Sequence, residues 1–414
     1  MSFTETKKCR ICGGTHLNVC LDLGVQYLSG IFPKEADKEM PHAPLKLLQC
    51  DPETGGCGHI QLSGTYSLDM MYGENYGYRS GLNSHMINHL KKKAETIISK
   101  YCVNNENNIL DIAGNDGTFL GFFPERYKRL SIDPSSEKFS SYFTDGIDYI
   151  SDFFSDKLFI KKYDNEKADI VTSFSMFYDL DDPCNFANQV RNILNPETGV
   201  WILEQSYMPE MLKMNSFDTI CHEHLSYYGI RQLKYIMDKA KLKIIDIEMN
   251  DVNGGSSSLT VSNNNSKYTE CKSKIDKWID YENKLGLNSL EPWEKLNKVV
   301  SDNRKIFFDI LDKVHQNGSK IAALGASTKG NVTLQSWNVT QNEIETIGDV
   351  NSDKWGCFTP GTWIPIQSED EVLLEYDYFV ILPWHFRKFF LSNKKFKGKK
   401  LIFPLPTPEL ITVE

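Results

Sequence analysis

Short apolar runs, each followed by a turn of small and polar residues, recur through the middle of the chain. Asn108-Ile109-Leu110-Asp111-Ile112 is short and mostly apolar, as a buried parallel strand is, and Ala113-Gly114-Asn115-Asp116-Gly117 follows it as a turn. Thr118-Phe119-Leu120 then reads as a helix start. The rhythm continues through Arg129-Leu130-Ser131-Ile132-Asp133 and through the strand and loop of Asp169 to Tyr178. Asp181-Asp182-Pro183 caps a helix that runs to Leu194, and Gly199 to Glu204 is the next strand. Asn253-Gly254-Gly255-Ser256 to Val261 predicts a final antiparallel hairpin strand. Residues 84–101 predict a helix packed ahead of the first strand. Strands alternating with helices imply an α/β fold, with a Rossmann-like central domain over 68–262.

The pattern changes on both sides of this domain. Residues 265–318 are charged and periodic, which predicts one or two amphipathic connector helices. Lys320 to Asn331 then repeats strand, small-residue turn and helix start, and further strands are expected at 344–349 and 378–382. Residues 263–414 therefore read as a second Rossmann-like domain, with turns at Thr359-Pro360-Gly361-Thr362 and Leu382-Pro383-Trp384-His385. Residues 1–67 follow neither pattern and carry five of the cysteines discussed below. Residues 72–83 are dense in Tyr and Gly and read as a loop.

Composition narrows the function. The chain has 414 residues, 40% hydrophobic and 24% charged, enough for two or three full cores. A net charge of −9 argues against a general nucleic-acid binder. No apolar run approaches the ~20 residues of a membrane span. Ten cysteines behind an N-terminus without the apolar core of a signal peptide point to a reducing compartment, the cytoplasm, where metal sites or free thiols are favoured over disulfides.

The turn after the first strand has Gly-x-x-Gly spacing, not the G-x-G-x-x-G that a pyrophosphate needs. An acid in the strand and one small-residue loop suit S-adenosylmethionine (SAM). A second acid is then expected about 20 residues on, for the ribose hydroxyls, and Asp133 meets that spacing. The expected SAM contacts are Asp111, Ala113, Gly114, Asn115, Asp116, Gly117 and Asp133, with Phe174, Ser175 and Met176 at the end of the neighbouring strand. Cys9-Arg10-Ile11-Cys12 offers half of a closed zinc site, and Cys50 with Cys57 offers the other half if the Asp-Pro-Glu-Thr-Gly-Gly loop between them bulges outward. His59 is an alternative ligand, and Cys20 reads as core. His222-Glu223-His224 is not H-E-x-x-H, and no third metal ligand is evident, so general-base chemistry is the better reading. Lys329 at a helix start suits a phosphate.

With these stretches in view, the chain resembles the SAM-dependent C-methyltransferases that act on nucleotide-linked 4-keto-6-deoxy sugars. The resemblance covers nearly the full length. It rests on the N-terminal Cys module, Leu110 to Gly117, Asp218 to His224, Gly325 to Asn331 and Thr359 to Thr362. It implies a structural Zn2+ in the N-terminal domain, a class I SAM-binding central domain and a C-terminal domain that helps to hold the nucleotide. It implies His224 as base, with Glu223 and Tyr76 or Tyr78 nearby. His222 is a further catalytic candidate, Lys329 and Arg79 are the cations expected at the substrate's diphosphate, and Asn83, Gly330 and Asn331 are expected toward the substrate. A monomer is compatible with it. The family often has Tyr directly before His-Glu-His, where this chain has Cys221.

Overall fold

The protein is described by a computed structural model covering residues 3–37, 39–67, 71, 79–102 and 106–414. Its central sheet has seven strands in the order Leu242–Asn250, Ser256–Asn263, Val200–Ser206, Ile170–Phe174, Asn108–Ile112, Lys128–Ile132, Ile147–Ile150. Ser256–Asn263 is antiparallel to both of its neighbours, and the other adjacent pairs are parallel. From Asn108–Ile112 the chain moves outward through two strands, then returns to add Ile170–Phe174 on the other side. That reversal is a topological switch point, and ligands of such sheets sit beyond the carboxyl ends of the strands there.

Strand alternation divides the packing. Ile109, Ile170, Val200 and Ile202 face the helix Ser84–Tyr101 through Leu90, Ala94 and Ile97. Leu110, Val171, Trp201 and Leu203 face the helices Pro183–Ile193 and Ile230–Lys239. The helix expected from Thr118 is replaced by one 3-10 turn, Leu120–Phe122. Gly121 weakens a helix there and Pro124 stops it. Donors for a ligand therefore come from the loop itself and not from a helix end.

The second sheet has six strands in the order Ile366–Ser368, Ile347–Asp349, Ile321–Leu324, Tyr378–Ile381, Lys400–Phe403, Glu409–Thr412, parallel apart from the last. It too reverses at its first strand, Ile321–Leu324. The predicted connector is two helices, Lys272–Lys284 and Glu291–Gln316. The N-terminal sheet is antiparallel: Leu17–Tyr27, His42–Cys50, Ile60–Leu62 and, from far along the chain, Ser226–Tyr227. One apolar cluster runs from Leu21, Leu47 and Ile60 through Phe217 and Leu225 to Ile321 and Phe379. The segment after His224 is thus built into the N-terminal module and packed against the C-terminal sheet. No described helix is long and apolar enough to cross a membrane.

Candidate active site and metal centre

The four N-terminal cysteines converge. The Sγ atoms of Cys9, Cys12, Cys50 and Cys57 all lie within 4.8 Å of one another, with Cys9–Cys57 and Cys12–Cys50 at 3.5 Å. Four thiolates around zinc at about 2.3 Å stand roughly 3.8 Å apart, so the set fits a closed tetrahedral Zn2+ site. The wide Cys50–Cys57 spacing is absorbed as expected. Asp51 caps a 3-10 turn through Glu53 N–H, Gly55 takes φ 85°, and Gly56 N–H returns to Asp51 O at 2.8 Å. A Cβ on Gly56 would lie 2.7 Å from Cys50 Sγ, so only glycine leaves room for the sulfur. His59 points elsewhere: it is fully buried, its Nε2 lies 3.2 Å from Ser226 Oγ, and burial lowers it to about 3.

The knuckle is tied to the rest of the chain by Arg10. Its guanidinium pairs with Asp181 at 3.2 Å and donates to Leu62 O and Thr6 Oγ1, both at 2.9 Å. Lys239 Nζ donates to Ile11 O at 3.0 Å.

The glycine-rich loop has the strained backbone of a ligand cradle. Ala113, Asn115 and Gly117 take φ of 58°, 54° and 73°. A Cβ on Gly114 would lie 2.5 Å from Ser131 Oγ and 3.0 Å from Asp111 Oδ2. Asp111 is buried, accepts from Thr172 Oγ1 at 2.6 Å and is pushed up to about 7 by burial. Asp133 accepts Asn115 N–H at 2.9 Å and Ser135 N–H at 2.6 Å, which joins the two acids' loops. Across the loop, Ser80 N–H donates to Asn115 Oδ1 and Gly81 N–H to Asp116 Oδ2, both at 2.9 Å. Beside it, Ser175 takes φ 54° and donates its N–H to Glu204 O at 2.7 Å. Glu204 itself is buried against His89, Lys93 and Asn250. Burial opposes its charge, but His89 and Lys93 outweigh that and hold the carboxyl below its usual range. Small residues, left-handed backbone and two carboxylates suit a nucleoside that carries an amino acid, as SAM does.

The two switch points meet at the His-Glu-His segment. His224 is partly buried, its Nδ1 lies 2.8 Å from Thr219 O, and its ring is 4.3 Å from that of Tyr178. Burial lowers it to about 4, with help from the positive charge of Lys329. Lys329 comes from the second switch point and reaches across to Asn253 O at 3.3 Å. Asn253 Nδ2 in turn donates to Ser175 Oγ at 3.3 Å. Asp218 is buried, accepts from Trp384 Nε1 at 2.7 Å and has its other oxygen without a hydrogen bond, close to Lys329. Burial raises the Asp218 carboxyl and lowers the Lys329 ammonium. Burial also raises the thiol of Cys221 and the carboxyl of Glu223.

Known proteins resemble the chain along its whole length. Family models for a zinc binding domain, a methyltransferase domain and a C-methyltransferase C-terminal domain match residues 9–72, 82–247 and 251–406 in turn. The chain is a SAM-dependent C-methyltransferase. The C-methyltransferase NovU of Streptomyces niveus is 24% identical over 415 residues, which span 98% of this chain and 97% of NovU. A SAM-dependent methyltransferase from Clostridium acetobutylicum is 13% identical over 43% of this chain and 92% of its own, with a TM-score of 0.33. The mitomycin 7-O-methyltransferase MmcR is 12% identical over 44% and 55%, with a TM-score of 0.35.

In this methyltransferase several residues expected at the substrate have partners within the protein. His222 is buried in the N-terminal module, with Nε2 3.3 Å from Ala43 O and its ring edge-on to Tyr66. The chain reverses between the two histidines, so they do not share a face. Arg79 pairs with Asp116 at 3.3 Å and lies over the Tyr142 ring. Asn83 caps Ser84–Tyr101 by accepting from His85 and Met86 N–H. A Cβ on Gly330 would lie 2.9 Å from Leu382 Cβ, so that glycine serves packing. Asn331 is buried and donates to Ser29 O at 2.7 Å. Tyr76 and Tyr78 lie outside the described residues. Conversely, Asn253, Thr219 and Tyr178 stand at the cleft without having been singled out. Asn253 had a signal, since Asn before Gly-Gly favours the positive φ of 56° it adopts.

Proposed function

We propose that the enzyme methylates a carbon next to the ketone of a nucleotide-linked keto-deoxysugar, with His224 as the base. One observation carries this reading. A neutral imidazole stands where the ends of the two sheets meet, with Nδ1 anchored on Thr219 O and Nε2 left for a substrate. SAM, when bound, supplies a methyl group made electrophilic by its sulfonium. The Asp111–Gly117 loop, Asp133 and Phe174 to Met176 hold and orient that donor. His224 removes the proton α to the carbonyl, and the cleft walls exclude water and fix the approach of the carbon. Glu223 lies beside it, its Oε1 2.6 Å from where a Gly30 Cβ would stand, so Gly30 leaves space for the carboxyl. Lys329 supplies positive charge for the diphosphate, and the second sheet offers its switch point to the nucleotide. Zinc, methyl donor and nucleotide are thereby assigned to 1–67, 68–262 and 263–414. The sugar itself comes from the motif resemblance, which the paired switch points support.

The test is reaction in D₂O with SAM and a panel of nucleotide-linked 4-keto sugars, followed by NMR and mass spectrometry. A new carbon-bound methyl, with α-proton exchange that His224→Asn abolishes, is expected. A methyl on oxygen without exchange would overturn the reading.

A further inference from the structure

We infer that Tyr178 is a catalytic residue: its hydroxyl donates the hydrogen bond that holds the enolate oxygen while His224 holds the abstracted proton. This rests on the proposed enolate chemistry. An enolate concentrates negative charge on oxygen, and a preorganised donor there stabilises the transition state more than the ground-state ketone. The donor has to stand beside the base and beside the methyl donor's strand.

Tyr178 meets both conditions. It lies on the 3-10 turn Phe177–Asp179, directly after the Phe174 to Met176 stretch at the carboxyl end of Ile170–Phe174. Ser175, in its left-handed conformation, turns the chain there. The Tyr178 ring lies 4.3 Å from the His224 ring at an interplanar angle of 57°, and both border a largely apolar cavity of about 20 Å³, room for one water, whose walls include Met208, Met211, Thr219 and Tyr227. A phenol O–H is a full-strength donor, whereas the neighbouring Cys221 offers a weaker S–H that burial keeps protonated. Glu223 is set toward Gly30, where a Cβ would lie 2.6 Å from its Oε1. Tyr227 belongs to the strand paired with Ile60–Leu62, and burial raises its hydroxyl well above the usual range.

The step balances without an external reagent. His224 Nε2 takes the α-proton, the C–H electron pair moves into the C=C–O⁻ system, and the oxygen accepts the Tyr178 hydrogen bond. The carbon then forms its bond to the methyl group as the methyl–sulfur bond breaks, and that pair stays on sulfur. His224 finally releases its proton to solvent.

Tyr178→Phe keeps the ring against His224 and removes only the hydroxyl. It is expected to lower kcat and the α-proton exchange rate together by about 10²–10³-fold, the effect of losing one oxyanion donor. SAM affinity by calorimetry and the KM for the sugar stay within about twofold of wild type, as expected for an interaction made only in the transition state. Wild-type kcat and exchange in Tyr178→Phe would overturn the assignment, as would a loss found in Tyr227→Phe alone. Wild-type enzyme that methylates without exchanging an α-proton would instead remove the enolate reading on which the assignment rests.

Discussion

The protonation state of His224 gives a direct test of the cleft. Burial lowers the imidazole to about 4, Thr219 O works against that, and the Lys329 charge adds to it. The imidazole is therefore neutral above about pH 5.5. An unperturbed histidine at about 6.5 would be roughly one-tenth deprotonated at pH 5.5, whereas one at about 4 is about 97% deprotonated. The two cases differ about tenfold in kcat/KM at pH 5.5, relative to the plateau at pH 7.5. The assay is a kcat/KM profile for methyl transfer from pH 5.5 to 8, whose acid limb reports the free enzyme. A histidine NMR titration, assigned with His224→Asn, provides a second readout that needs no substrate. Both are expected to show no titration of His224 above pH 5.5. Lys329→Met removes a repelling charge, so the same resonance should move upward toward the ordinary value. A wild-type midpoint near 6.5, or a Lys329→Met midpoint below wild type, would refute the electrostatic account of the cleft.

Further outcomes follow from the supporting structure. Cys57→Ser should drop bound zinc from about one ion per chain to well below one by elemental analysis, and lower the Tm by at least about 5 °C, because a closed site contributes folding energy directly. Gly114→Ala brings a Cβ to 2.5 Å from Ser131 Oγ, and should cost about 1–3 kcal/mol in denaturant unfolding and weaken SAM binding at least tenfold; a wild-type Kd would contradict the cradle. Arg10→Met leaves Leu62 O without its donor and frees Asp181, so about 2–3 kcal/mol of stability and most of kcat should be lost while the zinc content is unchanged. His59 and His222 are buried neutral, lowered to about 3 and about 4, so their contribution is complete above pH 6.5 and lost as pH falls toward the folded values. Each should account for about 1.4 kcal/mol at pH 5.5, and His59→Gln with His222→Gln should flatten the pH dependence of urea unfolding by about twice that.

What could be read in the chain beforehand was local. The glycine-rich loop was legible because a buried strand and its turn are written in adjacent residues. The zinc ligands were legible despite their spacing, since Pro52, Gly55 and Gly56 encode the bulge that brings Cys57 back. The helix expected from Thr118 is a single 3-10 turn instead, because Gly121 weakens a helix there and Pro124 ends it. The roles of polar side chains were the least legible. His222 answers to Ala43, 179 residues earlier, Asn331 to Ser29 at a separation of 302, and Arg10 to Asp181 at 171. No periodicity records such pairings, so the internal partners of these side chains could not be read from sequence.

Those locks bear on how the cleft works. The segment carrying His224 leaves the central domain, adds the strand Ser226–Tyr227 to the N-terminal sheet, and returns as the helix Ile230–Lys239. Arg10 ties the zinc knuckle to Asp181, three residues past the ring that packs on His224. On the opposite side, Trp384 and Lys329, on turns and helices that follow strands of the second sheet, hold Asp218 and Asn253. The His224 imidazole, the glycine-rich loop and the Lys329 cation are thus each fixed by a different module. None of the three alone contains the arrangement, so the chemistry depends on their docking. A closed four-cysteine site fits such a structural part: the knuckle it shapes carries Arg10, whose pairing with Asp181 braces the turn that packs on His224.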